Sequence, residues 1–275
     1  MSDFESTLPL GKPTAYRDEY DAGLLCPFPR APKRLELGLE GALPFHGCDL
    51  WNAYELSWLD GRGKPVVGMA EFRFPCDSPF LVESKSFKLY LNSFNQTRFV
   101  DPATVTATLE RDLAGASGAT VVVRLLPLAA ASAAGEDLPG TCLDALDIAV
   151  DRYDYAPELL DGAACPVMVV EETLHSHLLK SNCLVTRQPD WASVLIRYRG
   201  PGIDHAALLR YLISFRRHSE FHEQCVERIF TDLLHHCRPE RLTVYARYTR
   251  RGGLDINPFR SNFENELPNW RLVRQ

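Results

Sequence analysis

A cysteine and an aspartate on either side of a predicted turn are the residues best suited to covalent chemistry. They are Cys183 and Asp190, in the segment Cys-Leu-Val-Thr-Arg-Gln-Pro-Asp. A thiol is an effective nucleophile once it loses its proton, and a neighbouring carboxylate can take up that proton and return it later. The segment contains no histidine to act as a papain-like base. The alternative is a packed thiol beside a turn-forming acid, because free cysteine often behaves as a small buried hydrophobe.

Three further segments combine charge with backbone groups that could bind a ligand. Glu-Ser-Lys-Ser at 83–86 opens a predicted helix and suits a phosphate or a polar ring, although an ordinary helix cap has the same composition. Phe-His-Glu at 221–223 opens another helix, where a carboxylate can accept two N–H groups from a guanine-like edge or simply favour the helix dipole. Arg-Arg-Gly-Gly at 250–253 suits a phosphate or a solvated turn.

These segments lie on a predicted order of elements in the second half of the chain. An alternating pattern predicts a strand over 191–199, preceded by another that ends near Ser181. Apolar residues at helical spacing predict helices over 205–217 and 221–236. A final strand is predicted over 242–249, where Thr, Val and Tyr are frequent. The order is therefore two strands, two helices and a strand.

The first half of the chain resembles the second. Residues 81–94 align without gaps onto 202–215, share Tyr-Leu-x-Ser-Phe, and place Glu83 opposite Asp204. Residues 120–124 match 243–247 at nearly the same offset, and the small, breaker-rich segment 126–140 is the best boundary. We therefore expect an α+β protein of two modules, 1–136 and 137–275, each an antiparallel sheet backed by two helices. Cys183 and Asp190 have no counterparts in the first half, whereas the Glu-Ser-Lys-Ser segment has none in the second.

Composition excludes several classes of protein. With 275 residues, 45% of them apolar, the chain is long enough for about two domains with real cores. The net charge of −6 is opposite in sign to that of most nucleic-acid-binding proteins, so we expect a small-molecule substrate and no direct nucleic-acid partner. No apolar stretch is long enough to span a bilayer. The acidic N-terminus lacks the order of a secretory signal, which predicts a cytoplasmic location and no membrane partner.

Metal and nucleotide motifs are missing from the sequence. The eight cysteines are scattered and form no Cys-x-x-Cys, so we expect separate thiols and no metal. The nearest approach to a metal cluster spreads over a whole helix, which favours buried cysteines and helix-end histidines instead. Its members are His222, Cys225, His235, His236 and Cys237. Neither a Gly-x-Gly-x-x-Gly helix start nor a P-loop is present.

Taken together, the four segments resemble a known family. The motifs Cys-x-x-Thr-x-Gln-Pro-Asp, Glu-Ser-Lys-Ser-Phe-Lys-x-Tyr, Phe-His-Glu and Arg-Arg-Gly-Gly are similar to those of the NADPH-dependent 7-cyano-7-deazaguanine reductases of queuosine biosynthesis, in their long two-module form. The resemblance covers nearly the whole chain and is densest over 82–94 and 178–262. It implies tandem tunnelling-fold (T-fold) modules, a homodimer, and reduction of a nitrile to a primary amine by two NADPH without a metal.

The resemblance also assigns roles to individual residues. Cys183 would attack the nitrile carbon to form a covalent thioimide, and Asp190 would donate a proton. The residues matching substrate contacts are Val82, Glu83, Ser84, His222 and Glu223. Those matching NADPH contacts are Ser84, Lys85, Arg251 and Gly252. Where many relatives have Cys-Pro, this chain has Cys183-Leu184, as other long forms do.

Two alternatives share the predicted module. One is a zinc-dependent hydrolase of the GTP cyclohydrolase kind, which would need zinc held by cysteine and histidine. The other is a catalytically silent protein that binds a purine or a pterin. The proline-containing stretch 1–43 carries no motif, and the sequence assigns it no role.

Overall fold

The structure, a computed structural model, describes residues 16–128 and 135–275. The first fifteen residues and part of the predicted boundary segment, 129–134, lie outside the described residues. The protein is a mixed α+β structure with largely antiparallel sheets, as the sequence predicts. Within the described ranges, no helix is both long and apolar enough to cross a membrane.

Strands and helices alternate along the chain in short groups. In chain order they are β1 (Pro27–Pro29), α1 (Ala31–Glu36), β2 (His46–Leu59), β3 (Pro65–Pro75), β4 (Phe80–Val82), α2 (Ser84–Asn92), α3 (Pro102–Ser117), β5 (Val122–Leu126), β6 (Thr141–Cys142), β7 (Ala164–Asn182), β8 (Pro189–Ile203), α4 (His205–Ser214), α5 (His222–Cys237), β9 (Arg241–Tyr248) and β10 (Leu254–Ser261). Short 3-10 turns occur at Ala22–Leu24, Pro157–Leu160 and Phe215–Arg217.

The described chain divides into two compact units. The first contains 16–34, 49–128 and 250–255, and the second contains 35–48, 135–249 and 256–275. In the first unit β3 lies between β5 and β2. In the second the order is β10-β9-β8-β7-β6, so β6 is an edge strand. Because two short segments change unit, neither unit is a continuous half of the chain, and the limits 1–136 and 137–275 stay a prediction about the modules.

The predicted elements of the second half agree with the structure, with shifts at their ends. The strand expected over 191–199 lies inside the longer β8, and the one expected over 242–249 is β9. The helix expected over 205–217 ends as an α-helix at Ser214 and continues as a 3-10 turn. The reason is local, because the N–H of Phe215 bonds to the carbonyls of Leu212 and Ile213, which tightens the last turn.

Helices α2 and α4 begin in the same way in the two units. Glu83 caps α2 by accepting hydrogen bonds from the N–H groups of Lys85 and Ser86, both at 2.8 Å. Asp204 caps α4 by accepting from the N–H groups two and three residues further on, at 2.8 and 2.9 Å. Each carboxylate therefore satisfies two backbone donors that a helix start leaves without partners.

A buried tyrosine and aspartate network also occurs once in each unit. In the first unit Tyr20 and Tyr90 both donate to Oδ2 of Asp112 on α3 at 2.7 Å. Burial, followed by the hydrogen bond to Asp112, raises the pKa of Tyr90 well above its ordinary value. In the second unit, Tyr155 and Tyr211 donate to Oδ2 of Asp232 on α5 at 2.9 and 2.5 Å.

The aligned segments 81–94 and 202–215 therefore occupy equivalent positions. Tyr90 and Tyr211 stand at matching places in the alignment, as do the caps Glu83 and Asp204. Each tyrosine packs edge-on against a phenylalanine four residues later, with ring centroids 5.2 and 5.3 Å apart. The sequence similarity thus preserves one helix-packing arrangement in both units.

Removing one hydroxyl from this network should destabilise the protein. We expect Tyr211→Phe to lower the free energy of unfolding by about 1–3 kcal/mol, because it removes a donor from the partly buried Asp232. Tyr153→Phe is the matched control, since its hydroxyl bonds the Val150 carbonyl at the surface, and it should change stability by less than about 0.5 kcal/mol. Urea unfolding measures both variants, and equal stabilities for the two would contradict the network's role.

Candidate active site

Cys183 lies in the turn that joins β7 to β8. Its N–H donates to the Gln188 carbonyl at 2.8 Å, and its carbonyl accepts from the Arg187 N–H at 3.0 Å. Arg187 takes a left-handed conformation (φ 56°) that closes the turn. The Thr186 N–H points at the Cys183 Sγ, 3.5 Å away, and the cysteine is 4% exposed. The thiol is therefore buried, fixed by the turn, and supplied with a donor that suits a sulfur anion.

Asp190 lies beside His222 near the same end of β8. Asp190 pairs with Ser181 across the two strands, and its Oδ2 is 3.3 Å from the His222 Nε2. The His222 ring stacks on Tyr248, with centroids 3.9 Å apart. Its Nδ1 is buried and has no hydrogen-bond partner among the described residues. Buried polar atoms are rarely left without a partner, so this nitrogen is a position where a ligand could bind.

The start of α5 contributes a second acidic side chain. His222 is the first residue of the helix, and the Phe221 N–H before it donates to the Gln224 Oε1 at 3.3 Å. Glu223 follows in the first turn and is 4% exposed. The positive end of a helix dipole favours a carboxylate at this place. The segment Phe-His-Glu therefore presents an imidazole and a buried carboxylate together.

Backbone hydrogen bonds tie the end of β7 to the segment that enters α5. The Asn182 N–H and its side-chain amide both donate to the His218 carbonyl, at 2.8 and 3.2 Å. The Glu220 N–H returns a bond to the Asn182 carbonyl at 3.0 Å. Asn182 directly precedes Cys183, and Glu220 is two residues before His222. This tie fixes the two parts of the site against each other.

A buried ion pair also fixes the segment 218–220 that enters α5. Glu220 is 2% exposed and accepts hydrogen bonds from the His218 Nε2 at 2.9 Å and from Arg228 at 3.0 and 2.6 Å. Burial opposes ionisation, but the hydrogen bonds from His218 and Arg228 outweigh it and hold the pKa of Glu220 below its usual value. Arg228 also lies over the ring of Tyr155, 4.9 Å from its centroid.

In the first unit, the residues around Glu83 are positioned by the short strand β1. Pro27 pairs with Val82, and the Cys26 carbonyl accepts from the Glu83 N–H at 2.9 Å. Burial raises the pKa of Glu83 even though the N–H groups of Lys85 and Ser86 favour its ionised form. Sequence reasoning assigned no role to this N-terminal stretch. The signal it missed is Phe28, buried between two prolines that leave the strand short.

The Arg-Arg-Gly-Gly segment forms a tight turn between β9 and β10. Arg251 and Leu254 exchange backbone hydrogen bonds at 2.9 and 3.4 Å, and Gly252 and Gly253 both have positive φ, 63° and 79°. Two such residues are typical of the type I′ hairpin turn, which favours glycine. A Cβ on Gly252 would lie 3.1 Å from the Nζ of Lys88. Lys88 is on α2, one helical turn beyond Ser84 and Lys85, so this turn lies beside the face of α2 that begins with those residues.

Comparison with known proteins agrees with these motifs. Residues 16–125 match the family described as "Nitrile reductase, 7-cyano-7-deazaguanine-reductase N-term", and residues 189–266 match "QueF-like protein". A protein of Cupriavidus taiwanensis is 62% identical over 274 residues, 97% of this chain and 98% of its own length. The chain belongs to the 7-cyano-7-deazaguanine reductase family. The relative carries the name NADPH-dependent 7-cyano-7-deazaguanine reductase.

Other proteins with the same name match this chain over nearly its full length as well. The Dechloromonas aromatica protein is 60% identical, over 100% of this chain and 98% of its own length. The Bordetella pertussis protein is 61% identical, over 98% of this chain and 99% of its own length. The family resemblance drawn from the sequence motifs is therefore confirmed.

The site residues predicted for a member of the reductase family form two groups. The second unit holds Cys183, Asp190, His222 and Glu223 around the β7–β8 turn and the start of α5. The first unit holds Val82, Glu83, Ser84, Lys85, Arg251 and Gly252 around the start of α2 and the β9–β10 turn. The roles assigned to these residues stay predictions.

The two cysteines of α5, Cys225 and Cys237, are buried. Burial raises the pKa of Cys225 to about 12 and that of Cys237 to about 11, so neither thiol ionises readily. All eight cysteines are free thiols, as predicted. Within 16–128 and 135–275, one group of three side chains could hold a metal ion, namely Cys142, His175 and His177. The signal for it in the sequence is His-x-His on a strand, which places two imidazoles on one face.

The Glu220 ion pair gives a prediction that depends on pH. We expect Glu220→Ala to lower the free energy of unfolding at pH 7 by about 3–5 kcal/mol, because it leaves the buried Arg228 without its partner. The contribution is present above the ordinary glutamate pKa of 4.5 and is lost as pH falls through the lower value of the folded state. Urea unfolding from pH 7 into the acid range measures it.

The matched control for this variant is Glu158→Ala, which breaks an exposed ion pair with Arg152. Exposed pairs contribute little, so its effect should be small at every pH. The explanation fails if the difference in the free energy of unfolding between wild type and Glu220→Ala stays constant as the pH falls below 4.5.

Proposed function

We propose that this chain reduces the nitrile of 7-cyano-7-deazaguanine to the primary amine of 7-aminomethyl-7-deazaguanine, consuming two NADPH, in tRNA queuosine biosynthesis. The observation that carries the proposal is the buried thiol of Cys183 in a closed turn beside the Asp190–His222 pair. The names of relatives 60–62% identical over nearly the full length support the same reaction.

Buried carboxylates suit the polar edge of a deazaguanine. Glu223 is a buried acceptor at a helix start, and a carboxylate can accept two N–H groups from the amidine-like edge of guanine. The His222 Nδ1 offers a further buried polar contact, and Glu83 with Val82 and Ser84 forms the second predicted set. A substrate whose N–H groups match these acceptors would be bound in preference to analogues that lack the same N–H groups.

Cys183 supplies the covalent step. Its thiol adds across the C≡N bond, so that sulfur bonds to carbon and the proton is delivered to nitrogen, giving a thioimide. We assign the proton transfer to Asp190, which stands opposite Ser181, two residues before Cys183, and the Thr186 N–H stabilises the attacking sulfur. A first hydride and proton reduce the C=N bond. The C–S bond then breaks while a proton passes from the nitrogen to the Cys183 sulfur, which leaves an imine and the free thiol, and a second hydride and proton yield the amine. Each turnover therefore uses two hydrides and two protons.

The first unit has groups that fit a dinucleotide phosphate. The exposed Gly252 leaves the backbone of the turn free of a side chain, and Arg251, Lys85 and Lys88 add positive charge on the same turn and on α2. NADPH supplies hydride to the substrate carbon when it is bound. We assign Ser84, Lys85, Arg251 and Gly252 to holding it.

The proposal includes tandem T-fold modules that assemble as a homodimer. The equivalent caps and tyrosine networks of the two units support the duplication. The homodimer, the cytoplasmic location and the absence of a direct nucleic-acid partner stay predictions.

The nucleophile is tested by Cys183→Ala. We expect NADPH oxidation with 7-cyano-7-deazaguanine to fall at least about 1,000-fold, because no other group in the turn can form the covalent intermediate. Wild type should consume two NADPH per aminomethyl product and give a protein adduct at Cys183, read by absorbance and mass spectrometry. Asp190→Asn should lose about 100-fold or more while still binding substrate.

Cys165→Ser is the matched control, since this partly exposed cysteine lies at the other end of β7. It should retain wild-type turnover. Full turnover by Cys183→Ala would overturn the covalent mechanism. Ligand binding without NADPH oxidation by the folded wild type would indicate the silent binder, and activity lost together with bound zinc would indicate the hydrolase.

The cofactor residues are tested by Lys85→Ala and Arg251→Ala. Each should raise the KM for NADPH about tenfold or more with a smaller change in kcat, because a charge-assisted contact to phosphate is lost. Lys64→Ala, in the exposed turn between β2 and β3 of the same unit, is the control and should leave KM unchanged. An unchanged KM in both site variants would remove this turn and the start of α2 from the cofactor site.

A further inference from the structure

The edge of the second unit's sheet carries a cluster of three side chains that the reduction does not use. The two-residue strand β6 pairs in parallel with β7, so that Cys142 stands opposite His175. His177 is two residues further along β7, next to a β-bulge. One ligand atom from each of the three side chains lies within 4.8 Å of the others.

The chain is shaped so that Cys142 reaches this position. Gly140 has φ 90°, and a Cβ on it would lie 2.0 Å from the Thr173 carbonyl of β7, so a side chain there would push β6 away. Leu138 is buried with Leu195 and Leu272, which anchors the segment before the turn. The Leu143 N–H then donates to the His175 carbonyl at 2.9 Å. The approach of Cys142 to β7 is therefore fixed on both sides.

Each of the two imidazoles is oriented by a hydrogen bond at its Nδ1. The His175 Nδ1 lies 3.1 Å from the Pro139 carbonyl, and the His177 Nδ1 lies 2.8 Å from the Ser193 Oγ. A carbonyl accepts only, so it fixes the His175 proton on Nδ1 and leaves Nε2 with a lone pair. Metal-binding histidines commonly use their other nitrogen in this way.

We propose that Cys142, His175 and His177 form a Zn²⁺ site, with water completing the coordination. Sulfur and imidazole nitrogen are the donors that zinc prefers, and three protein ligands with one water is a common arrangement. Donor atoms around tetrahedral zinc lie about 3.3–3.6 Å apart, from Zn–N and Zn–S distances of about 2.0 and 2.3 Å. The donor atoms of the cluster lie within 4.8 Å of one another, so they must move closer to bind zinc, and Cys142 is the exposed member of the three. Binding releases the thiol proton to solvent.

This site is separate from the nucleophile. His177 and Cys183 are six residues apart on one chain segment that is extended up to Asn182 except for one β-bulge, a span of at most about 20 Å. The bound ion joins edge strand β6 to β7, which otherwise share few hydrogen bonds. Its effect is therefore on the stability of the sheet edge, and the inference does not depend on the proposed reduction.

Co²⁺ is the probe for the ligand set. Metal-free full-length protein titrated with Co²⁺ should bind one ion per chain and show a thiolate-to-cobalt charge-transfer absorption. Cys142→Ser should lose that absorption, and His175→Ala or His177→Ala should weaken binding at least tenfold. Ser193→Ala should weaken it about tenfold, because the orienting bond to His177 is lost. Cys165→Ser and His235→Ala, outside the cluster, should bind Co²⁺ as wild type does.

A second measurement uses the wild-type chain. Zn²⁺ should slow alkylation of Cys142 by iodoacetamide at least tenfold without slowing that of Cys165, as read by mass spectrometry of the peptides. Cys142→Ser should keep its NADPH oxidation rate, which separates this site from the proposed function. Absence of stoichiometric binding, an unchanged cobalt spectrum in Cys142→Ser, or zinc protection of Cys183 in place of Cys142 would overturn the proposal.

Discussion

The contact on which the site depends most is the backbone tie between Asn182 and the segment 218–220. Strand β7 and helix α5 meet there through three hydrogen bonds, two to the His218 carbonyl and one from the Glu220 N–H. The Cys183 thiol directly follows Asn182, and the His222 imidazole is two residues after Glu220. Because the polar groups are buried, the Glu220–Arg228 ion pair must keep its geometry for the tie to persist. Reactive residues far apart in sequence are thereby held on a rigid frame.

The two units share one helix-packing plan but differ in the residues that follow the helix cap. Their helices begin with a capping carboxylate and pack through a tyrosine–aspartate network, yet the residues after the cap differ. In the first unit the cap is followed by hydroxyls and a lysine, whereas in the second it is followed by His205 and two alanines. The cap and the tyrosine–aspartate network are thus common to both units, and the residues directly after the cap are the ones that differ.

Much of this could be predicted from the sequence, for identifiable reasons. Periodicity located α4, α5, β8 and β9 because their apolar faces are regular, and the repeated Tyr-Leu-x-Ser-Phe marked equivalent helices. The segments that escaped prediction are stabilised by distant partners. Strand β1 is only Pro27–Pro29 and exists through pairing with β4, and β6 depends on the close approach of Gly140 to Thr173. Local propensity carries no information about either contact.

The buried tyrosines affect how the protein behaves in alkali. Burial and neighbouring acidic groups raise the pKa of six phenols, namely Tyr20, Tyr90, Tyr155, Tyr198, Tyr211 and Tyr248. The folded state keeps them protonated above the ordinary value of 10.0, at which an unfolded chain would release the protons. Alkaline pH therefore favours unfolding. These tyrosines lose their protons when the cores of the two units unfold, so the rise in phenolate absorbance measures that unfolding.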